Sequence, residues 1–153
     1  MHPLTILISS LSLAVYFLAV WRGGGPERVA GALLLAVFVA DEVRAAVFGP
    51  LRFLGFEPYQ FAVNALELAV FTVLAIRANR VWPLVAAALM LTAVLGHLAA
   101  WIVPSGMTLA YWIMVEPPTL LVIITLACGT AAHWRRQRRI GPYPDWRPPP
   151  APA

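Results

Sequence analysis

The chain has no lysine and a single cysteine, Cys128, among 153 residues. One cysteine excludes a disulfide framework and a cysteine-based metal motif. It lies in an apolar run, so we expect a buried, inert thiol. Charge of either sign is scarce: 12% of residues are charged, against about 25% in soluble domains. That deficit argues against a soluble globular domain. The net charge of +4 and pI near 10.0 do not indicate a nucleic-acid partner. The eleven arginines sit mostly at the ends of apolar segments and in the C-terminal tail. No HExxH sequence, no Ser–His–Asp arrangement with meaningful spacing and no long-period repeat is present, so no catalytic residue is assigned.

What is abundant is apolar: 61% of the chain is hydrophobic and the mean hydropathy is +0.78. Arginine as the sole strong base, with heavy use of Ala, Leu, Val and Pro, fits a high-GC bacterial gene. Apolar runs predict an all-α membrane-embedded bundle of five transmembrane helices, near residues 4–21, 29–48, 59–76, 81–103 and 107–132. The first has no basic stretch before it and no small-x-small cleavage site after it, so it reads as a retained helix. Thr5, Ser9 and Ser12 share one of its faces and suit a close helix–helix contact. The second must include Asp41, Glu42 and Arg44, because stopping at Ala40 leaves about 12 apolar residues where roughly 20 are needed. Gly49-Pro50 ends it, and Arg52, Phe53, Phe56 and Glu57 form an interfacial loop. The turn Pro104-Ser-Gly106 separates the fourth and fifth segments.

In the fifth segment, Glu116-Pro117-Pro118 interrupts the apolar run, so a kinked helix or a break at 116–118 is expected. The transmembrane domain thus covers residues 1–134. Residues 135–153 form a basic, then Pro-rich tail, expected to be largely disordered. Five segments put the termini on opposite sides. Arg22, Arg28, Arg77, Arg80, Arg135, Arg136, Arg138, Arg139 and Arg147 then fall on one side. The positive-inside rule makes that side cytoplasmic and puts the N-terminus outside, in a bacterial inner membrane. Arg135, Arg136, Arg138 and Arg139 are placed at the membrane surface against anionic inner-leaflet lipid.

Glu57, Gln60, Asn64 and Glu67 are spaced to share one helix face. A polar stripe ending in an intramembrane carboxylate is costly without partners. At a rise of about 1.5 Å per residue, Asp41, Asn64, Glu67, His97 and Glu116 fall at similar depths in the outer half of the bundle. We therefore expect a periplasm-facing pocket of Asp41, Arg44, Asn64, Glu67, His97 and Glu116. Arg44 is expected to pair with Asp41, Glu67 to be the central acceptor, and His97 to donate to a carboxylate. Such a pocket suits a proton, a cation or a small polar solute. Two alternatives remain open: a structural or accessory subunit whose polar layer only fixes helix packing, and an intramembrane enzyme using Glu67, His97 and Glu116 as metal ligands.

At Trp21-Arg22…Pro26-Glu27-Arg28, Arg80-Val-Trp82-Pro83-Leu84…His97-Leu98-Ala99 and Gly129-Thr130…His133-Trp-Arg135-Arg136 the chain resembles small multi-pass bacterial membrane proteins. That resemblance implies no activity, and nothing functional is carried over from it. The five-segment count is also similar to the tryptophan-rich sensory protein (translocator) family. Its Trp-Pro signatures are not matched, since Trp82-Pro83 lacks the surrounding pattern, and nothing is carried over from it.

Overall fold

The apolar runs become helices whose starts are marked by proline. The computed structural model describes residues 3–49, 55–103 and 108–147. These form five α-helices: α1 Pro3–Arg22, α2 Gly25–Phe48, α3 Pro58–Arg77, α4 Trp82–Ile102 and α5 Thr108–Ile140. Proline stands in the first two positions of α2, α3 and α4, where its missing N–H has no partner to lose and its fixed φ suits the helix. Four helices are long and apolar enough to cross a membrane: Pro3–Arg22, Pro58–Arg77, Trp82–Ile102 and the apolar part of Leu109–Ile140. α2 has 24 residues, but Glu27, Arg28, Asp41, Glu42 and Arg44 dilute its hydropathy. The expectations for Pro50, Arg52, Phe53 and the Pro104-Ser-Gly106 turn, and for the end beyond Arg147, lie outside the described residues.

α4 is the centre of the bundle, packed along both α3 and α5; α1 packs on α2 and α5, and α2 touches α3 and α5 more lightly. Small residues permit the close approaches, as is usual between membrane helices. A Cβ on Gly96 of α4 would meet the Met114 Cβ at 2.7 Å, and one on Gly129 of α5 would meet the Trp82 ring at 2.6 Å. The core runs through Tyr16, Ala19, Leu34, Phe71, Leu74, Trp82, Ala86, Met90, Val122 and Leu126. Outside it, Leu7, Leu11, Phe17, Val43, Leu84, Leu95 and Ile124 face outward, and extended exposed apolar surface marks contact with a membrane or a partner.

Three local expectations need correcting. Cys128 is exposed on the outer face of α5, not buried. Of the small hydroxyl residues on α1 only Ser12 is buried. Its hydroxyl donates to the Ile8 carbonyl at 2.9 Å, and the tight α1–α2 approach comes lower, where Gly31 meets Ala19 and the Tyr16 carbonyl. The fifth segment is neither broken nor short: α5 runs unbroken through Pro117 and Pro118 for 33 residues, about 50 Å at the helical rise. Proline's φ is itself helical, and the Thr119 hydroxyl donates back to the Val115 carbonyl at 3.1 Å beside the prolines. The basic stretch Arg135–Arg139 is therefore helical, in the last turns of α5. Residues 141–147 then return to the bundle, where an isolated antiparallel bridge joins Trp146 to Ala78. The Asn79 amide donates to the Asp145 carbonyl at 2.9 Å, and the Arg147 amide to the Arg77 carbonyl at 2.8 Å.

Candidate functional site

Polar side chains gather in two layers, one toward each end of the bundle. The first is the expected one. On α3, Gln60, Asn64 and Glu67 are all buried, with Asn64 at 0% and Glu67 at 1% exposure. Across from them, His97 of α4 is also fully buried. Its Nε2 lies 3.1 Å from Asn64 Nδ2 and its Nδ1 lies 2.7 Å from the Tyr111 hydroxyl of α5. The Glu57 backbone N–H donates to the same hydroxyl at 3.3 Å. With the Asn64 amide in this orientation, Nε2 accepts and Nδ1 carries the ring proton. Phe56 and Phe61 stand edge-on to the imidazole at 6.4 and 6.0 Å. Beside it, an apolar cavity of about 80 Å³ is lined by Gly96, Ala100, Tyr111 and Met114 among others.

The structure brings most of the predicted residues into this layer but changes their partners. Asp41 does not pair with Arg44: it accepts from the Tyr59 hydroxyl at 2.9 Å. Arg44 turns to the end of its own helix, donating to the Gly49 carbonyl at 3.1 Å, with its guanidinium 5.4 Å from the Tyr59 ring. Gly49 directly follows the last residue of α2, so its carbonyl has no partner within the helix, and a basic side chain in the last turns can satisfy it. His97 does not donate to a carboxylate, because Asn64 and Tyr111 occupy its two nitrogens. Glu67, expected as the central acceptor, meets no hydrogen-bond donor and no cation among the described residues. Glu116 is half-buried. Asp41 is close enough to Glu67 and to Glu116 for their charges to interact. Gln60 Oε1 and Asn64 Oδ1 are buried without a partner. Among the described residues, no three His, Cys, Asp or Glu side chains are grouped to hold a metal ion, so Glu67, His97 and Glu116 do not form the ligand set considered above.

The second layer, at the arginine-rich end, escaped the sequence reading. Glu27, in the first turn of α2, is fully buried. Its Oε1 accepts from Trp82 Nε1 at 2.8 Å and lies 3.3 Å from Arg80 Nε. Arg80 Nη2 meets Asp145 Oδ1 at 2.6 Å and His133 Nδ1 at 3.0 Å. A guanidinium only donates, so His133 Nδ1 is an acceptor, and the Tyr143 hydroxyl at 2.8 Å shares its single lone pair with Arg80. The Tyr143 ring lies between Arg80 and Arg136, 4.4 and 4.2 Å from their guanidinium carbons. Asp145 Oδ2 accepts from the Gly25 N–H at 2.8 Å, capping α2 from 120 residues away in sequence. Its carboxylate suits the positive end of the helix dipole.

Burial raises the pKa of the Tyr143 phenol above its ordinary value of 10.0; Glu27 and Asp145 push the same way, against Arg80 and Arg136. The signals were present in sequence: Pro26-Glu27 suits a helix first turn, and Tyr143, Asp145 and Trp146 are unusual in a solvated tail. Starting the helix at Val29 put Glu27 in a loop and hid its pairing with Arg80. No known protein family, curated protein or solved structure matches this chain.

Proposed function

We propose that the chain is an integral protein of a bacterial inner membrane, with five spanning helices, the N-terminus outside and the C-terminus cytoplasmic. In this reading the layer around Glu67 is an intramembrane site for a proton or a small cation, open toward the periplasm. One observation carries it. Gln60 Oε1, Asn64 Oδ1 and the Glu67 carboxyl lie on one face of α3, and the two amide oxygens are buried without donors. Buried acceptors normally find a donor, and an unpartnered carboxyl in hydrocarbon either holds a proton or shares a cation. Asp41 and Glu116 add negative charge nearby. The arginine-rich end supports the orientation, by the asymmetry of basic residues. It also supports anionic inner-leaflet lipid as a partner of Arg135, Arg136, Arg138 and Arg139, which lie along the last turns of α5.

A lipid-soluble carbodiimide tests this, because it modifies a protonated carboxyl buried in hydrocarbon. We expect labelling at Glu67, read by peptide mass spectrometry, and loss of the label in Glu67→Gln. Protection by one alkali or alkaline-earth cation identifies a cation site; pH-dependent labelling that no cation alters identifies a proton site. An unreactive Glu67, with no cation shifting the melting temperature, refutes the reading.

A second reading has its own support. The bonds from His97 to Asn64 and Tyr111 tie α3, α4 and α5 together, as expected if the layer mainly fixes helix register. It predicts that removing Glu67 weakens the bundle.

A further inference from the structure

A pocket of about 510 Å³ opens at the arginine-rich end, between the Gly23–Gly25 turn, the last turns of α5 and the returning segment 141–147. That is within the roughly 300–1,000 Å³ range of small-ligand sites. We infer that this pocket binds a phosphate-bearing anion, through the guanidinium groups of Arg22 and Arg28.

Both arginines line the pocket, and among the described residues the ion pairs all belong to Arg80. Arg28 is oriented by its Nε, which donates to the Gly23 carbonyl at 3.0 Å. Both of its Nη atoms remain to bind a ligand. Arg22 is held over indole rings, its guanidinium carbon 4.5 Å from the Trp21 ring and 5.9 Å from that of Trp134. Asp145 is the carboxylate among the lining residues; its oxygens bond Arg80 and the Gly25 N–H, and its ion pair is with Arg80 and not with Arg22 or Arg28. The setting reinforces the preference: nine arginines lie in or beside this end of the bundle, against the two carboxylates Glu27 and Asp145.

Oriented guanidinium forks with free N–H groups match the oxygens of a phosphate, and such charge-assisted pairs are the strong ones. The indoles of Trp21 and Trp134 are of the kind that sit at headgroup level. The phosphate can therefore belong to a lipid headgroup or to a free phosphoester. The inference does not depend on the reading of the Glu67 layer.

The test uses the full chain in neutral detergent, with phosphatidylglycerol and inorganic phosphate as separate probes. Retained lipid is counted by native mass spectrometry, and the melting temperature is followed. Wild type should retain phosphatidylglycerol and melt higher with it. Arg22→Gln with Arg28→Gln should weaken binding by about tenfold or more. Gln137→Trp, which fills the pocket from an exposed position and leaves every arginine in place, should do the same without touching the charge. Arg77→Gln with Arg147→Gln removes equal charge at the same end from two exposed positions outside the pocket and should leave binding intact. The same arginine-dependent response to inorganic phosphate alone would assign the site to a soluble phosphoester and still sustain the inference. Three results overturn it: neither probe binding to wild type, binding indifferent to both pocket variants, or binding lost equally with Arg77→Gln and Arg147→Gln.

Discussion

Glu27 and Glu67 are equally buried carboxyls on neighbouring helices of one small bundle, yet their surroundings are opposite. Glu27 meets an indole N–H and a guanidinium, and that guanidinium goes on to Asp145 and His133. Glu67 meets no donor among the described residues and has Asp41 as a charged neighbour. A buried charge held by a fixed donor and a cation is structural in character: Glu27 Oε1 is committed to Trp82 and Arg80, although Glu27 Oε2 is buried without a hydrogen-bond partner. A buried carboxyl without donors holds a vacancy in its hydrogen bonding that something smaller than a side chain must fill. This difference separates the two ends: the arginine-rich end is built like a clasp, and the opposite end like a site.

The largest test of the clasp is Arg80→Met. The change keeps an unbranched, flexible stem and removes the shared cation between Glu27 and Asp145. Removing one partner of a buried pair leaves the other charge uncompensated, at a cost of about 3–5 kcal/mol. We expect a melting temperature far below wild type and release of residues 141–147 to limited proteolysis. A melt within a degree or two of wild type would mean that the network contributes little.

At the other end, His97→Leu removes the ring that Asn64 and Tyr111 share. Leaving a buried polar group unpaired costs about 1–3 kcal/mol, although hydrogen bonds inside membrane proteins average only about 0.6 kcal/mol. A moderate loss of stability is expected, smaller than that of Arg80→Met. A larger loss would reverse the contrast between the two ends and make the His97 layer the stronger tie.

A third prediction reaches the returning tail through pH. The raised pKa of Tyr143 means that the folded state favours the neutral phenol. Its contribution is therefore fully present below the ordinary tyrosine value and is lost as pH rises through the folded value. Thermal melts at increasing alkalinity should show wild type losing stability over this window, and Tyr143→Phe losing less. His133 keeps its bond to Arg80 in that variant, so the effect at neutral pH is small. Parallel curves for the two proteins would separate tail docking from the phenol.

Much of the helical frame was legible in the sequence because apolar runs and their Pro and Gly punctuation are local signals. The depth argument likewise brought Asp41, Asn64, Glu67, His97 and Glu116 toward one layer, because helical rise is a fixed length. Partner choice was not legible. Arg44 is three residues from Asp41, which permits a pair on one face, but the orphan carbonyl of Gly49 competes for it at the helix end. Tyr111 and Tyr59 entered the site as hydroxyl partners although nothing in their local sequence singled them out. The clasp was the least legible, since Glu27, Arg80 and Asp145 lie in three separate turns and tails whose association depends on the whole fold. At Pro117-Pro118 the break did not occur for a different reason: two prolines remove helical hydrogen bonds but do not oblige the chain to leave helical φ, and α5 continues through them while packed along α4.

The smallest expected effect has the sign that decides between the readings of the Glu67 layer. Glu67→Leu replaces a carboxyl lacking a hydrogen-bond donor among the described residues with an apolar side chain of similar volume. If Glu67 serves only packing, its loss weakens the bundle. If it is retained for a proton or cation, it costs stability in the unliganded protein, and its removal should raise the melting temperature, by an amount corresponding to about 0.5–2 kcal/mol. The companion Asn64→Leu should fall instead, because it breaks the bond to His97 while deleting the adjacent orphaned oxygen. Opposite signs at two residues one turn apart on the same face of α3 would locate the boundary between structural network and site between Asn64 and Glu67. Equal losses at both would extend the structural network through Glu67 and remove the argument for a cation or a proton there.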